Sequence, residues 1–221
     1  MIYIDGNSLS IEDIIAVVDN GEKAGIADSA LEQIRKSKKS LMKILESGKP
    51  VYGVNTGFGS LLNVNVDKNK TVQLQINLIR SHSAGTGEPL NERTVKSIML
   101  IRANTLVKGY SGVSEDLVNF ILFMINEEII PVVPRYGSVG SSGDLAPLAH
   151  IGLAIMGEGD VFYKGKRINS GEVFRQLGIV PYSYAEKEGV ALINGTSVIC
   201  GILALEIKKS ERLISEALGS F

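Results

Sequence analysis

The 221-residue sequence contains one cysteine and two histidines. A single thiol, Cys200, excludes an internal disulfide and a Cys-x-x-C pair, so the cytoplasm is the default compartment. With only His82 and His150, and no paired-carboxylate motif, no metal site is expected. Neither charge sign is in excess: 23 basic residues face 24 acidic ones, for a net charge of -1. No basic field therefore exists to attract nucleic acid or an anionic membrane surface. No uninterrupted apolar run approaches the roughly 18 residues of a membrane span, so no membrane association is expected. The start, "MIYIDGNSLS", has neither a basic cluster nor an apolar run and does not read as a signal peptide. No Gly-Lys-Ser or Gly-Lys-Thr occurs, and no Gly-x-Gly-x-x-Gly follows a strand, so phosphate-loop and dinucleotide chemistry are excluded.

What remains is an ordinary globular composition, 44% hydrophobic and 21% charged, written mostly in helical periods. Ser29, with Glu32 three residues on, has the form of a capping box. Leu31, Ile34, Leu41, Ile44 and Leu45 follow as an apolar stripe, with Gly48 as the stop. Further helices are predicted from about Asp67 to Ser83, from Asn91 to Gly109, and from Ser114 to before Pro131 and Pro134. Another is predicted from Asp144 as N-cap of "LAPLAHIGLAIM", and a long one closes the sequence after "ALINGTS". The segment "GDVFYKGKRI" reads as a small hairpin turning at Lys164-Gly165. With no internal repeat and no low-complexity linker, residues 1–221 read as one mostly helical domain.

Glycine-rich polar loops interrupt this helical text: "YGVNTGFGS", "SHSAGTGEPL", "GSVGSSGDLAPLAH" and "ALINGTS". Loops on a rigid helical body are where function concentrates, although each glycine can also be a helix stop. Gly137 to Asp144 is the most unusual, with three glycines, three serines and an acid at its exit. It is not a nucleophile elbow. Ser141 has Gly140 directly before it and Ser142 has Gly143 directly after it, and a proline-rich loop rather than a buried strand leads in.

The backbone offers a different chemistry. Gly143 lacks a Cβ, so its amide nitrogen can approach the carbonyl of Ser141 closely. Attack there closes a five-membered ring. Loss of water makes an imidazolone, and loss of the Ser142 hydroxyl as a second water leaves an exocyclic methylidene. The product is a strong electrophile, which the ordinary side chains do not supply. Expelling an unactivated amine needs such an electron sink, otherwise provided by a cofactor.

The ordered set "YGVNTGFGSL", "RSHSAGTGEPL", "RANTLVKGYSGVS", "GSVGSSGDLAPLAH" and "ALINGTS" spans nearly the whole chain. On these motifs it resembles the aromatic amino acid ammonia-lyases, the histidine, phenylalanine and tyrosine ammonia-lyases and related aminomutases. The resemblance implies a mainly α fold and a homotetramer with active sites shared between subunits. It also implies a methylidene-imidazolone (MIO) group made from Ser141-Ser142-Gly143, with no external cofactor. Ser142 matches the serine that becomes the methylidene, and Gly143 the cyclising glycine. Ser141 stands where alanine is commoner and lends only its carbonyl. Asp144 matches an acid that assists ring formation, a role compatible with an N-cap contribution of about 1 kcal/mol. Tyr52 matches the catalytic base, which needs surroundings that favour phenolate; taken alone it is a buried aromatic. Asn194 matches a residue that holds the substrate's amino group; taken alone it is a turn or capping asparagine.

His82 bears on substrate. Ser81-His82 resembles the histidine ammonia-lyases, and an imidazole there can exchange a hydrogen bond with a substrate imidazole. Its plain alternative is a helix-end histidine beside the dipole. The resemblance departs at Ser197, where histidine enzymes usually carry glutamine after "NGT". That keeps tyrosine and phenylalanine lyases and aminomutases open, beside a non-catalytic helical protein that retains the loops. Family chains continue well beyond Phe221, and the arginine for the substrate carboxylate is expected there. The chain is thus expected to be the N-terminal portion of a histidine ammonia-lyase converting L-histidine to trans-urocanate, inactive alone.

Overall fold

A computed structural model describes residues 1–51, 53–56 and 70–219. In chain order the elements are β1 (Ile2–Ile4), α1 (Ile11–Val18), β2 (Ala24–Ile26), α2 (Asp28–Glu46), α3 (Thr71–His82), β3 (Thr86–Pro89), α4 (Glu92–Val107) and α5 (Glu115–Asn126). There follow β4 (Ile130–Pro131), β5 (Pro134–Tyr136), α6 (Leu145–Ile155), β6 (Asp160–Tyr163), β7 (Lys166–Asn169), α7 (Ser170–Leu177), α8 (Glu188–Ile193) and α9 (Ser197–Gly219). The fold is mainly α, as the periodicity predicts.

Helix α4 is the axis of the molecule. Val95, Ile98, Met99, Leu100, Ala103, Leu106 and Val107 are all fully buried, and Lys96, Ser97 and Arg102 are buried beside them, so the helix is enclosed nearly all round. Each buried side chain of the Ile, Leu or Met kind contributes about 1.5–3 kcal/mol. Asn91 starts the helix as expected, its side chain accepting from the Thr94 amide at 2.7 Å. Ser114 does the same for α5, accepting from the Leu117 amide at 3.3 Å. Across the α4–α9 crossing, the Ser97 hydroxyl donates to the Gly201 carbonyl at 3.1 Å.

The hairpin forms where predicted. β6 and β7 pair antiparallel, Tyr163 opposite Lys166, and Lys164 and Gly165 both turn at positive φ, 50° and 72°. β4 adds a third strand beside β6.

Two expectations are corrected. Ser29 does not cap α2; the N-cap is Ala27, with no side-chain cap bond. β2 runs parallel to β1, and Ala27 still donates to the Ile4 carbonyl at 3.0 Å, so the chain turns into helix directly from the strand. Of the α2 stripe, Ile34 and Leu41 are buried and Ile44 is exposed. Second, "SHSAGTGEPL" is not loop throughout: Thr86–Pro89 pairs antiparallel with Pro134–Tyr136, Thr86 facing Tyr136. Helix α3 begins at Thr71, and its expected start at Asp67 lies outside the described residues. The stretch Glu188–Gly219 is long enough, and its most apolar 18-residue window, with a mean hydropathy of 1.9, apolar enough, to cross a membrane by length and composition. Asn194 and Gly195 break it between α8 and α9, and 44% of its most apolar window is buried within the protein.

Candidate active site

The Gly137–Asp144 loop connects β5 to α6 with an open crown and an anchored base. Ser141 and Ser142 are exposed, whereas Gly143 and Asp144 are buried. The anchor is the turn between α8 and α9. The Asp144 amide donates to the Gly195 carbonyl at 2.8 Å. A Cβ placed on Gly143 would lie 2.8 Å from both Asn194 Oδ1 and the Gly195 nitrogen, so only glycine fits at this approach. The structure therefore brings Gly143, Asp144 and Asn194 into one cluster, although 50 residues separate Asp144 from Asn194 in sequence.

Asp144 is 1% exposed and fully engaged. Its Oδ1 accepts from the Ser138 hydroxyl at 2.7 Å. Its Oδ2 accepts from the amides of Val198 and Ile199, both at 3.2 Å. The expected cap of α6 is thus corrected: Asp144 sits at the N-cap position of α6 but makes no side-chain bond to it. Its carboxylate caps α9 instead, where the unpaired amides and positive helix end stabilise an anion. The Asp144 backbone ψ of 59° accompanies this turn of the side chain away from its own helix.

Helix α8, which presents Asn194, is held at both ends by other elements. At its start, the fully buried Glu188 accepts from the Ser114 amide at 2.9 Å, the Ala185 amide at 2.8 Å and the Tyr182 hydroxyl at 2.9 Å. Lys38 supplies the charge partner at 3.7 Å. Burial first, and Glu188 second, push the Tyr182 phenol up from its ordinary range. Gln75 of α3, also fully buried, accepts from the Val190 amide at 3.0 Å and donates to the Gly53 carbonyl at 3.0 Å. It ties the segment next to Tyr52 to α8, while Tyr52 itself lies outside the described residues. At the C-terminal end of α8, the Arg102 guanidinium donates to the carbonyls of Ala191 and Asn194, the latter at 3.2 Å.

His82 is the last residue of α3 and is half-buried. Its Nδ1 bonds the Leu78 carbonyl at 2.9 Å, one turn back. A carbonyl can only accept, so Nδ1 carries the proton and Nε2 is left as an acceptor. The helix-end role and a recognition role thus use different nitrogens. His82 belongs to the segment beside the serine loop: a Cβ on Gly137 would lie 3.1 Å from Gly85 Cα. His150 of α6 fastens this segment, its Nε2 accepting from the Gly85 amide at 3.1 Å.

Ser138, Gly195, Gln75, Arg102 and His150 all support the cluster and were not singled out from the sequence. Arg102 carried the clearest signal. It is a cation directly after the apolar run "IMLI", and such a residue is buried only with partners.

The chain is similar to known proteins along nearly its whole length. A probable histidine ammonia-lyase of Thermoplasma acidophilum is 50% identical over 220 residues, 100% of this chain and 44% of that protein. A histidine ammonia-lyase structure from Trypanosoma cruzi superposes with a TM-score of 0.87 at 35% identity, over 96% of this chain and 41% of that one. A phenylalanine aminomutase from Pantoea agglomerans gives 0.92 at 30% identity, over 99% of this chain and 42% of that one. The chain spans less than half the length of these relatives. A family model described as aromatic amino acid lyase matches residues 9–220, and the chain belongs to that family.

Proposed function

We propose that the protein is the N-terminal part of a histidine ammonia-lyase, which eliminates ammonia from L-histidine to give trans-urocanate. The observation that carries this reading is the seating of Gly143 against Asn194 and Gly195, with the Asp144 amide bound to the Gly195 carbonyl. A methylidene-imidazolone built from Ser141-Ser142-Gly143 fits there: the cyclising position tolerates no Cβ, and the serine hydroxyls above it are open. The ring supplies an electron sink that makes the substrate's amino group a leaving group.

The chain's own residues supply the rest. Asp144, tied to Ser138 and to α9, fixes the exit of the loop. Asn194 Oδ1 accepts a hydrogen bond from the substrate's amino group. His82, with its proton held on Nδ1 by the Leu78 carbonyl, offers Nε2 to the N–H of a substrate imidazole. Tyr52, as phenolate, takes the β-proton of the substrate at its hydroxyl oxygen. A site satisfied by imidazole rejects apolar rings, because the unpaired polar group then costs about 1–3 kcal/mol. The carboxylate anchor belongs to the portion that the relatives carry beyond this chain's length. The working form is a cytoplasmic homotetramer that shares its sites between subunits. The relatives named as histidine ammonia-lyases support the substrate.

Urocanate formation, followed by its ultraviolet absorbance in the full-length protein with histidine, tyrosine and phenylalanine, tests the substrate. Intact mass tests the ring: active protein should be lighter by two water molecules, and an unmodified mass would overturn the mechanism. Ser197 favours a second reading, since histidine enzymes usually carry glutamine there. Under it the protein is a tyrosine or phenylalanine lyase or an aminomutase, and the same assay would give cinnamate-type or β-amino acid products.

A further inference from the structure

Arg102 is a guanidinium in an apolar interior. It is 4% exposed, and its Nε has no hydrogen-bond partner among the described residues. Burial pulls its pKa down to about 10, which leaves it cationic at neutral pH. Among the described residues none of its bonds is to a carboxylate. They go to Ala191 and Asn194, whose carbonyls form the negative end of α8. A residue needed only to fill this volume would be apolar, because a buried charge with an incomplete set of bonds is costly.

What the guanidinium holds is the Asn194–Gly195 turn. Among the described residues the turn has two other backbone bonds: Asn194 donates to the Val190 carbonyl at 3.1 Å, and the Gly195 carbonyl accepts from the Asp144 amide at 2.8 Å. One comes from α8 and the other from the serine loop. Among the described residues Arg102 supplies the side-chain hydrogen bond that reaches it from α4. It also lies close against Gly195, where an added Cβ would stand 2.9 Å from Arg102 Cζ. The turn also packs against Gly143, where an added Cβ would stand 2.8 Å from Asn194 Oδ1 and from the Gly195 nitrogen.

We propose that Arg102 is a positioning residue for the self-processing of the serine loop, holding the Asn194–Gly195 turn against Gly143 so that its amide is pressed toward the Ser141 carbonyl. This rests on the methylidene-imidazolone reading above. In that step the Gly143 nitrogen bonds to the Ser141 carbonyl carbon. The carbonyl oxygen leaves as water with the amide hydrogens of Gly143 and Ser142. The Ser142 hydroxyl leaves with its α-hydrogen as the second water, and no oxidant is needed. Misplacing the turn by about 1 Å would slow closure by up to roughly a hundredfold.

The test follows intact mass from synthesis onward in the full-length protein and in its Arg102→Lys and Arg102→Met variants, with thermal unfolding as the check on folding. Arg102→Lys keeps the cation at the end of α8 but not the forked donors. Both variants are expected to fold and to lose the two waters at least about tenfold more slowly than the parent. Water loss at the parental rate in either folded variant overturns the proposal. Failure of both variants to fold also overturns it, making Arg102 a residue of core stability. Absence of the mass deficit in the parent overturns the ring reading itself, separately from Arg102.

Discussion

Asp144 Oδ2 lies 3.2 Å from the Val198 nitrogen, so the acid that opens α6 caps α9. Through this bond the serine loop and the Asn194 turn share one electrostatic anchor. Asp144→Ala removes three accepted bonds at a buried site and leaves two amides and the Ser138 hydroxyl without their partner. It should destabilise the fold by about 1–3 kcal/mol. Asp144→Asn keeps an acceptor of similar shape and should cost less. Urea unfolding of the three proteins checks the order, and equal stability of Asp144→Ala and the parent would refute the capping role.

Ser142→Ala separates chemistry from fold. The hydroxyl is on the exposed crown of its loop and no bond to the core depends on it. Stability should change by less than about 0.5 kcal/mol. The two-water mass deficit and lyase activity of the full-length protein should both disappear. Retention of activity in this variant would refute the role of Ser142.

These two residues also mark what the sequence could reveal. The helices were legible because their apolar periods and caps are local: Asn91 and Ser114 begin α4 and α5 with the bonds their residue types imply. The hairpin at Lys164-Gly165 was legible for the same reason. Motif order likewise pointed to Gly143, Asp144 and Asn194. What it could not reveal was a partner distant in the chain. Asp144 looks like the cap of its own helix, and only the fold turns its carboxylate to Val198 and Ile199. Thr86–Pro89 has no alternating pattern, and it becomes a strand because Pro134–Tyr136 lies beside it. Gln75 makes bonds to backbone groups, which leave no signature in side-chain order, and Arg102, though visible as a cation among apolar residues, gives no hint that its partners are the Ala191 and Asn194 carbonyls.

His150 makes stability depend on pH in a defined direction. Burial holds its pKa below the ordinary 6.5, and its Nε2 must stay unprotonated to accept from the Gly85 amide. The unfolded chain therefore takes up the proton first as pH falls. Stability should be complete above 6.5 and decline as pH drops below it toward the depressed folded value. Asp19 and Glu158, whose carboxyls are lowered below 3.8 and 4.5 chiefly by Arg93 and Arg80, lose their contributions only at lower pH. His150→Gln keeps an acceptor for Gly85 without a titrating ring. The urea midpoint of the parent should fall between about pH 7 and 5, and that of the variant should stay flatter there. Parallel curves would assign the slope to other groups.

His82 gives the sharpest test of substrate choice. Its Nδ1 is committed to the Leu78 carbonyl, which leaves Nε2 as the one ring atom free to recognise a polar substrate. His82→Leu keeps comparable bulk at the end of α3 and removes both functions. Loss of the bond to Leu78, at a helix end open to water, should cost no more than about 1 kcal/mol of stability. Loss of an acceptor for a buried substrate imidazole should cost more. In the full-length protein kcat/KM for histidine should fall at least about tenfold, since each 1.36 kcal/mol is one decade. The ratio of phenylalanine to histidine turnover should rise, because a phenyl ring asks for no acceptor. The two-water mass deficit should persist, as the Ser141–Gly143 backbone is untouched. Unchanged histidine selectivity, with only the small loss of stability, would reduce His82 to a helix-end residue and shift the substrate assignment toward the other aromatic amino acids.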